Sequence, residues 1–411
     1  MVGAGPCGAA LALLLVRSGW AVTLVDSAPP QAPRPYRGEG LMPSGVEALE
    51  AMGLWPLPAS VRHRPLGGWA MVVERRPLFA AAEPLAGDRG CWLVNQESLL
   101  GHLRAEFARH NAARLLEGCP VRALLRSPTG RVGGVVLADG RELAADLVAG
   151  CDGRQSLIRV KGGLELQQQE AGEEVLWFRL AGPEVALLQD WLGGRFLTVV
   201  AGGVSFALFA EADGEALRLG WLAEAGVGRP EDGAGWRQQW AGSLPPAGAS
   251  LLEQVPVAAI SGPQCFPVRV GWAPRWHAPG LLVLGDAAHP MSPVRAQGIN
   301  MALRDALVAA LLLGPPPQGF PATGLAGKAC TLERIDALLP LIAEQRLPEI
   351  RLMQGLQARE AALAASLRQF GGLRWILAQT APWSGVLARQ RWIQQQHRLR
   401  RGLPRALALP E

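Results

Sequence analysis

The chain reads as an α/β protein in which a parallel sheet with flanking helices interlocks with an antiparallel sheet, followed by a helical C-terminal extension. Three observations predict this. A glycine-rich turn near the start opens an apolar helical run, two later apolar strands each end in an aspartate, and the segments between them alternate apolar and polar residues around glycine-rich turns.

The first element is Val2-Gly3-Ala4-Gly5-Pro6-Cys7-Gly8, followed by AALALLLV and a strand AVTLVD that ends in Asp26. Gly3 and Gly5 allow a tight turn and close approach to a pyrophosphate, Gly8 allows helix–strand contact, and Asp26 suits a ribose hydroxyl. A lone GxGxxG is weak evidence, but here the helix and the acidic strand end accompany it. Only Met1 and Val2 precede Gly3, fewer residues than a central parallel strand uses, so the first strand is expected to be truncated.

The second element is ADLVAGCDGRQSLIR, Ala145 to Arg159, an apolar strand ending in Asp152-Gly153. Taken singly, Asp152 is equally well read as the cap of the next helix and Arg159 as a solvated cation. The third is GDAAHPMSPVRAQGINMALRDA, Gly285 to Ala306, preceded by the strand LLVL. This strand carries Asp286 at its carboxyl end, and a helix opening near Gly298 would aim free N–H groups at an anion.

Together these motifs resemble the FAD-dependent monooxygenases of the para-hydroxybenzoate hydroxylase-like group, the class A flavoprotein aromatic hydroxylases. The resemblance implies a Rossmann-like FAD-binding domain, an antiparallel-sheet substrate domain, and roles for individual residues. Gly3, Gly5, Gly8 and Asp26 would serve the adenosine end of FAD. Asp152, Gly153 and Arg159 would serve FAD and the approach of NADPH or NADH, while Gly285 and Asp286 would hold the ribityl chain. Pro293 would face the isoalloxazine, and Gln297, Gly298, Ile299 and Asn300 its pyrimidine edge. Arg37, in RGEGLMPSGVEALEAMGL, and Gln96, in WLVNQESLLGHL, match further cofactor positions of the family.

By the same resemblance, NAD(P)H reduces FAD, dioxygen is captured as a flavin C4a-hydroperoxide, and one oxygen atom passes to an aromatic or lipophilic small molecule. Aromatic acid, phenol, quinone precursor and isoprenoid all stay open as substrates. One departure stands out: where relatives commonly carry two small residues, this chain has Arg295 and Ala296. Arg295 is a speculative catalytic position, since its guanidinium would bind a carboxylated substrate, stabilise an anionic flavin, or simply pack its stem.

Two alternatives are carried forward. One is an isoprenoid-type FAD reductase that needs no dioxygen; the other is a degenerate, non-catalytic flavin-fold protein. A flavin halogenase is disfavoured, because there is no WxWxIP motif and the only lysines are Lys161 and Lys328. No general base is assigned, and His289, inside the third motif, is read as a core or capping residue.

The expected division is a discontinuous FAD-binding domain at 1–66, 86–165 and 269–314, a substrate domain at 67–85 and 166–268, and a helical extension at 327–411. The alternating residues of 175–268 predict hairpins, and the breaker GPPPQGFPATG separates the third motif from the helical tail.

Length and composition support an enzyme of this size: 411 residues at 49% hydrophobic content exclude a disordered chain. No apolar run looks long enough to span a membrane and no signal peptide precedes the first motif, so a cytoplasmic location is expected. The six cysteines lack metal-ligand spacing, so no metal site is expected. Between Arg389 and Arg405 lie six arginines and His397 with no acid, near Trp375, Trp383 and Trp392. This pattern raises peripheral contact with acidic lipids as an expectation against the commoner solvated face, and it carries no nucleic-acid motif.

Overall fold

Parallel pairing organises the residues on either side of the glycine turn. Val22–Val25 pairs in parallel with Ala113–Leu116, and Val148–Gly150 pairs in parallel with Leu281–Val283. Val2 lies between the two pairs, bridged in parallel to Val25 on one side and to Gly150 on the other. The expected short first strand is thus a single bridging residue in mid-sheet. The computed structural model describes residues 1–30, 39–85, 89–224, 229–315 and 325–402.

Two helices pack against this sheet and against each other. Pro6–Arg17 starts with proline in its first turn, where the missing N–H costs nothing, and buries nearly every residue through Val16. Gln297–Leu313 is apolar almost all round and buried on all but a few positions, as expected of a helix enclosed by neighbours. The helical stretch Val294–Leu313 is long and apolar enough to cross a membrane, contrary to the expectation from apolar runs, but 78% of its apolar window is buried inside the protein. It is the central core helix.

The second sheet has seven strands and holds the segments 68–82 and 167–272 together. Most pairs are antiparallel, as expected, but Gly68–Val73 runs parallel to Arg195–Ala201. The expectation of hairpins throughout 175–268 needs correction, because Ala186–Leu192, Gly233–Ser243 and Pro246–Glu253 are helices. Trp236 and Trp240 lie four residues apart on one helical face and both pack on Phe178, at ring separations of 4.9 and 4.8 Å. That burial outweighs the glycine content of the segment.

Among the described residues the last elements are three helices, Leu325–Gln369, Gly371–Gln379 and Ala381–Arg401. The last lies on the strand Arg76–Ala82 so closely that a Cβ at Gly385 would meet the Leu78 carbonyl oxygen at 2.1 Å. Only glycine permits that approach.

Candidate active site

The glycine turn brings the start of Pro6–Arg17 to the edge of a cavity of about 700 Å³. Gly3 has φ +96, and a Cβ there would meet the Cys151 carbonyl oxygen at 2.4 Å. At Gly8 a Cβ would overlap the Gly3 carbonyl oxygen at 1.9 Å, whereas at Gly5 it would meet nothing within 4 Å. Gly3 and Gly8 therefore make the turn possible, and Gly5 leaves open the side that faces the cavity, as a phosphate-binding turn requires. Asp26 accepts the backbone N–H groups of Ala4 and Ala28, both at 2.8 Å, so its carboxylate braces the turn while lining the cavity.

Asp152 and Gly153 also line the cavity. Asp152 accepts from Ser156 Oγ and from Ile158 N–H, so it caps the helix Leu157–Lys161 as well as facing inward. Arg159 goes elsewhere. It is buried, donates to the Ala287 carbonyl oxygen at 2.7 Å, and is absent from the cavity wall. The neighbouring Arg154 lines the cavity instead, donating to Asp286 Oδ2 at 3.1 Å and to the Met291 carbonyl oxygen at 3.3 Å. Sequence reasoning passed over Arg154, although its place directly after Asp152-Gly153 was a signal.

The third motif supplies the other wall. Asp286, Pro293, Arg295, Gly298 and Ile299 line the cavity, and a Cβ on Gly298 would lie 3.9 Å from Asp286 Oδ1. The acid and the start of Gln297–Leu313 are thus side by side, and the helix aims its positive end into the same space as Pro6–Arg17. Gly285, Gln297 and Asn300 stand behind the wall. Asn300 accepts the Met42 N–H at 2.9 Å and donates to the Gly40 carbonyl oxygen at 3.2 Å, while Gln297 donates to the Leu399 carbonyl oxygen at 2.8 Å. Gln96 lines the cavity at the first position of a helix capped by Asn95, and Arg37 lies outside the described residues.

A buried charge cluster anchors this wall from beneath. Asp305 accepts the Gly285 N–H at 3.0 Å and pairs with His289 and Arg346, which in turn pairs with Glu349. Burial alone would raise the Asp305 carboxyl, but His289 and Arg346 outweigh it and hold the group below its usual range.

Arg295 and Ala296 take φ values of +58 and +48, the left-handed region that favours glycine. The Arg295 guanidinium lies over the adjoining rings of Trp69 at 4.7 Å and Trp392 at 5.2 Å, and its Nε donates to Glu360 Oε1 at 2.7 Å. These contacts offset a backbone strain of about 1 to 2 kcal/mol per residue. Beyond this loop the cavity becomes aromatic: Trp69, Trp177, Phe196 and Phe209 line it, with Phe196 and Phe209 stacked at 4.9 Å.

This arrangement fits an elongated dinucleotide with a planar ring system. One end offers a glycine turn at a helix start, the middle offers Asp152, Arg154 and Asp286, and the far end offers a second helix start beside an apolar aromatic chamber.

Residues 1–319 match the family described as FAD binding domain. The chain is 30% identical over 425 residues to 6-methylpretetramide 4-monooxygenase of Streptomyces rimosus, covering 98% of this chain and 94% of that protein. It is 29% identical over 337 residues to menaquinone reductase of Mycolicibacterium smegmatis, covering 76% of this chain and 75% of that protein. Among solved structures, PqsL of P. aeruginosa in complex with 2-aminobenzoylacetate has the same fold, with a TM-score of 0.72 at 22% identity over 92% of this chain and 97% of that one.

Proposed function

Since this chain belongs to the FAD-binding-domain family and is an FAD-dependent monooxygenase, we propose that it hydroxylates an aromatic or lipophilic small molecule held between the Pro293–Ala296 loop and the aromatic face of the seven-stranded sheet. FAD is its cofactor and NAD(P)H its co-substrate. The observation that carries the substrate reading is the shape of the cavity, which runs from two converging helix starts to a chamber lined by Trp69, Trp177, Phe196 and Phe209.

In this reading Gly3 and Gly5 present backbone to the pyrophosphate and Asp26 faces the adenosine ribose. Asp286, oriented by Arg154, takes the ribityl hydroxyls. Pro293, Gly298 and Ile299 border the ring system, where the dipole of Gln297–Leu313 favours negative charge. Arg159, Gly285, Gln297 and Asn300 act through the loops they fix. Bound FAD, reduced by NAD(P)H, supplies dioxygen activation and delivery of one oxygen atom. The chain's own part is to orient the substrate on aromatic surfaces and to keep water out of the chamber, which favours transfer over loss of peroxide.

A second element of the proposal is peripheral contact with an anionic membrane from the cytoplasmic side. Trp375 is 63% exposed and Trp383 76% exposed, with Phe370, Ile376, Val386 and Leu387 also open to solvent. Arg389, Arg391 and Arg398 are exposed on the same terminal helix. An apolar patch bearing tryptophan beside basic residues is the pattern of a helix pair that lies in a lipid interface.

The deciding experiment loads the protein with FAD and follows NAD(P)H oxidation and oxygen uptake against a panel of aromatic compounds. Substrate-stimulated oxygen uptake with a hydroxylated product supports the proposal. NAD(P)H oxidation coupled to substrate reduction without oxygen would replace it with the reductase reading.

A further inference from the structure

We propose that Glu39 is the proton acceptor of the substrate chamber, and that the substrate therefore presents an acidic hydroxyl or N–H on a planar aromatic ring rather than a carboxylate. This rests on the reading of the cavity given above. Glu39 is 4% exposed, lines the cavity, and sits where its two halves meet. The strand that follows it, Gly40–Leu41, is stitched to the start of Gln297–Leu313 through Asn300, and a Cβ on Gly40 would lie 2.9 Å from the Ala296 Cβ. Glu39 Oε2 accepts the N–H of Ala212 at 2.9 Å, on the turn between two strands of the seven-stranded sheet. That is the carboxyl's one hydrogen bond among the described residues, which leaves Oε1 to the cavity.

The surroundings set its proton affinity. Burial pushes the Glu39 carboxyl up to about 7, only partly countered by the Ala212 N–H. Of the charged groups that act on it, Glu211 and Asp213 raise it further and Arg218 lowers it. Glu211 is held by Arg179 and Arg218, and Asp213 by Arg62. Arg295, on the adjoining loop, is committed to Glu360. A buried carboxyl poised near neutrality beside a reacting centre has the properties of a general base.

The same geometry argues against an acidic substrate. Among the described residues two arginines line the cavity, Arg154 and Arg295, and each is already paired with a carboxylate, Asp286 and Glu360. A substrate carboxylate would have to displace one of these partners and face Glu39 as well. A phenolic hydroxyl has neither problem. Its O–H bond breaks, the proton passes to Glu39 Oε1, and the electron pair left on oxygen raises the nucleophilicity of the ring carbons ortho and para to it, where oxygen is accepted. Release of product and solvent exchange return Glu39 to its carboxylate.

The test uses FAD-loaded enzyme, its Glu39→Gln and Glu39→Asp variants, and 4-nitrophenol as a probe whose two protonation states absorb differently. At pH 8 the free probe is the phenolate. Binding to the wild type is expected to take up about one proton per ligand, read with a pH indicator, and its affinity to fall about tenfold per pH unit above neutrality. Glu39→Gln should bind with no proton uptake and a flat pH dependence, while Glu39→Asp keeps the uptake at weaker affinity. Retained flavin absorbance in the variants certifies the fold. Identical proton uptake and pH dependence in wild type and Glu39→Gln would overturn the assignment of Glu39 alone. A wild type that takes up no FAD would remove the reading of the cavity itself, and the assignment with it.

Discussion

Arg295 and Glu360 form an ion pair that ties the loop after Pro293 to the helical extension, across 65 residues of sequence. Gln396, on the terminal helix, donates to the other Glu360 oxygen at 3.2 Å, so three separate elements meet at one carboxylate. Because Arg295 is held in a left-handed backbone conformation, this pair decides whether the loop keeps its shape. Glu360→Gln is expected to lower stability by about 1 to 3 kcal/mol, the cost of leaving a largely buried guanidinium short of a charged partner. It should also raise the fraction of NAD(P)H oxidation that ends as hydrogen peroxide, because a loosened loop admits water. Thermal melts and a peroxide assay check both, and an unchanged peroxide yield would mean that the pair does not seal the chamber.

The glycine turn separates a folding role from a binding role. Gly8→Ala places a methyl 1.9 Å from the Gly3 carbonyl oxygen, so the turn must open and both stability and flavin binding should fall. Gly5 has φ −72, which any residue adopts, and a Cβ there touches nothing in the protein. Gly5→Ala should therefore melt close to the wild type yet bind FAD at least tenfold more weakly, because its methyl points where phosphate oxygens would lie. Flavin absorbance on titration with FAD, beside a melting curve, distinguishes the two. Unimpaired FAD binding by Gly5→Ala would move the pyrophosphate away from this turn.

Asp305 and Glu39 give stability opposite pH dependences. The Asp305 carboxyl is held below the ordinary value of 3.8, so its contribution is fully present above that value and is lost as pH falls through its lower folded-state value. Asp305→Asn removes the carboxylate shared by His289 and Arg346 and leaves the buried Arg346 with Glu349 alone, which should cost about 1 to 3 kcal/mol at neutral pH. Glu39 is raised from 4.5 to about 7, so it disfavours folding progressively as pH rises between those values. Glu39→Gln should thus match the wild type near pH 4 and exceed it by roughly 3 kcal/mol at pH 8. Denaturant melts at pH 4, 6 and 8 read both effects; a wild-type minus Glu39→Gln difference that does not change with pH would mean that Glu39 ionises normally in the folded protein.

What was legible in the sequence is what local spacing encodes. Three strand-to-helix turns announced themselves by glycine, acid and apolar run, and Gly3, Gly5, Asp26, Gln96, Asp152, Gly153, Asp286, Pro293, Arg295, Gly298 and Ile299 do converge on one cavity. The rest depends on partners far apart in the chain. Nothing near Asp305 announces Arg346, 41 residues away, and nothing near Glu39 announces Ala212, 173 residues away. The parallel pairing of Gly68–Val73 with Arg195–Ala201 was hidden for the same reason. By contrast, the helix Gly233–Ser243 had a local signal in the spacing of Trp236 and Trp240, which the glycines around it obscured.

The exposed face of the last two helices makes the final prediction. Along Ala381–Arg401 the solvent-facing positions run from Trp383, Val386 and Leu387 at one end to His397 and Arg398 at the other, so apolar anchor and basic contact are displaced along one helix. Lipid contact would bury the first group among acyl chains and bring the second to headgroup phosphates, each basic residue adding about 1 kcal/mol near an anionic surface. The protein should therefore sediment with vesicles containing phosphatidylserine and stay in the supernatant with vesicles of phosphatidylcholine alone. Trp383→Ala should weaken binding several-fold at any salt concentration. Arg398→Gln should weaken it at low salt and have little effect at 0.5 M, where the Debye length is only about 4 Å. Neither residue lines the cavity, so both variants should retain full FAD binding. Equal sedimentation with the two vesicle types would remove the part given to the basic residues, and sedimentation with neither would assign the patch to a protein partner instead of a membrane.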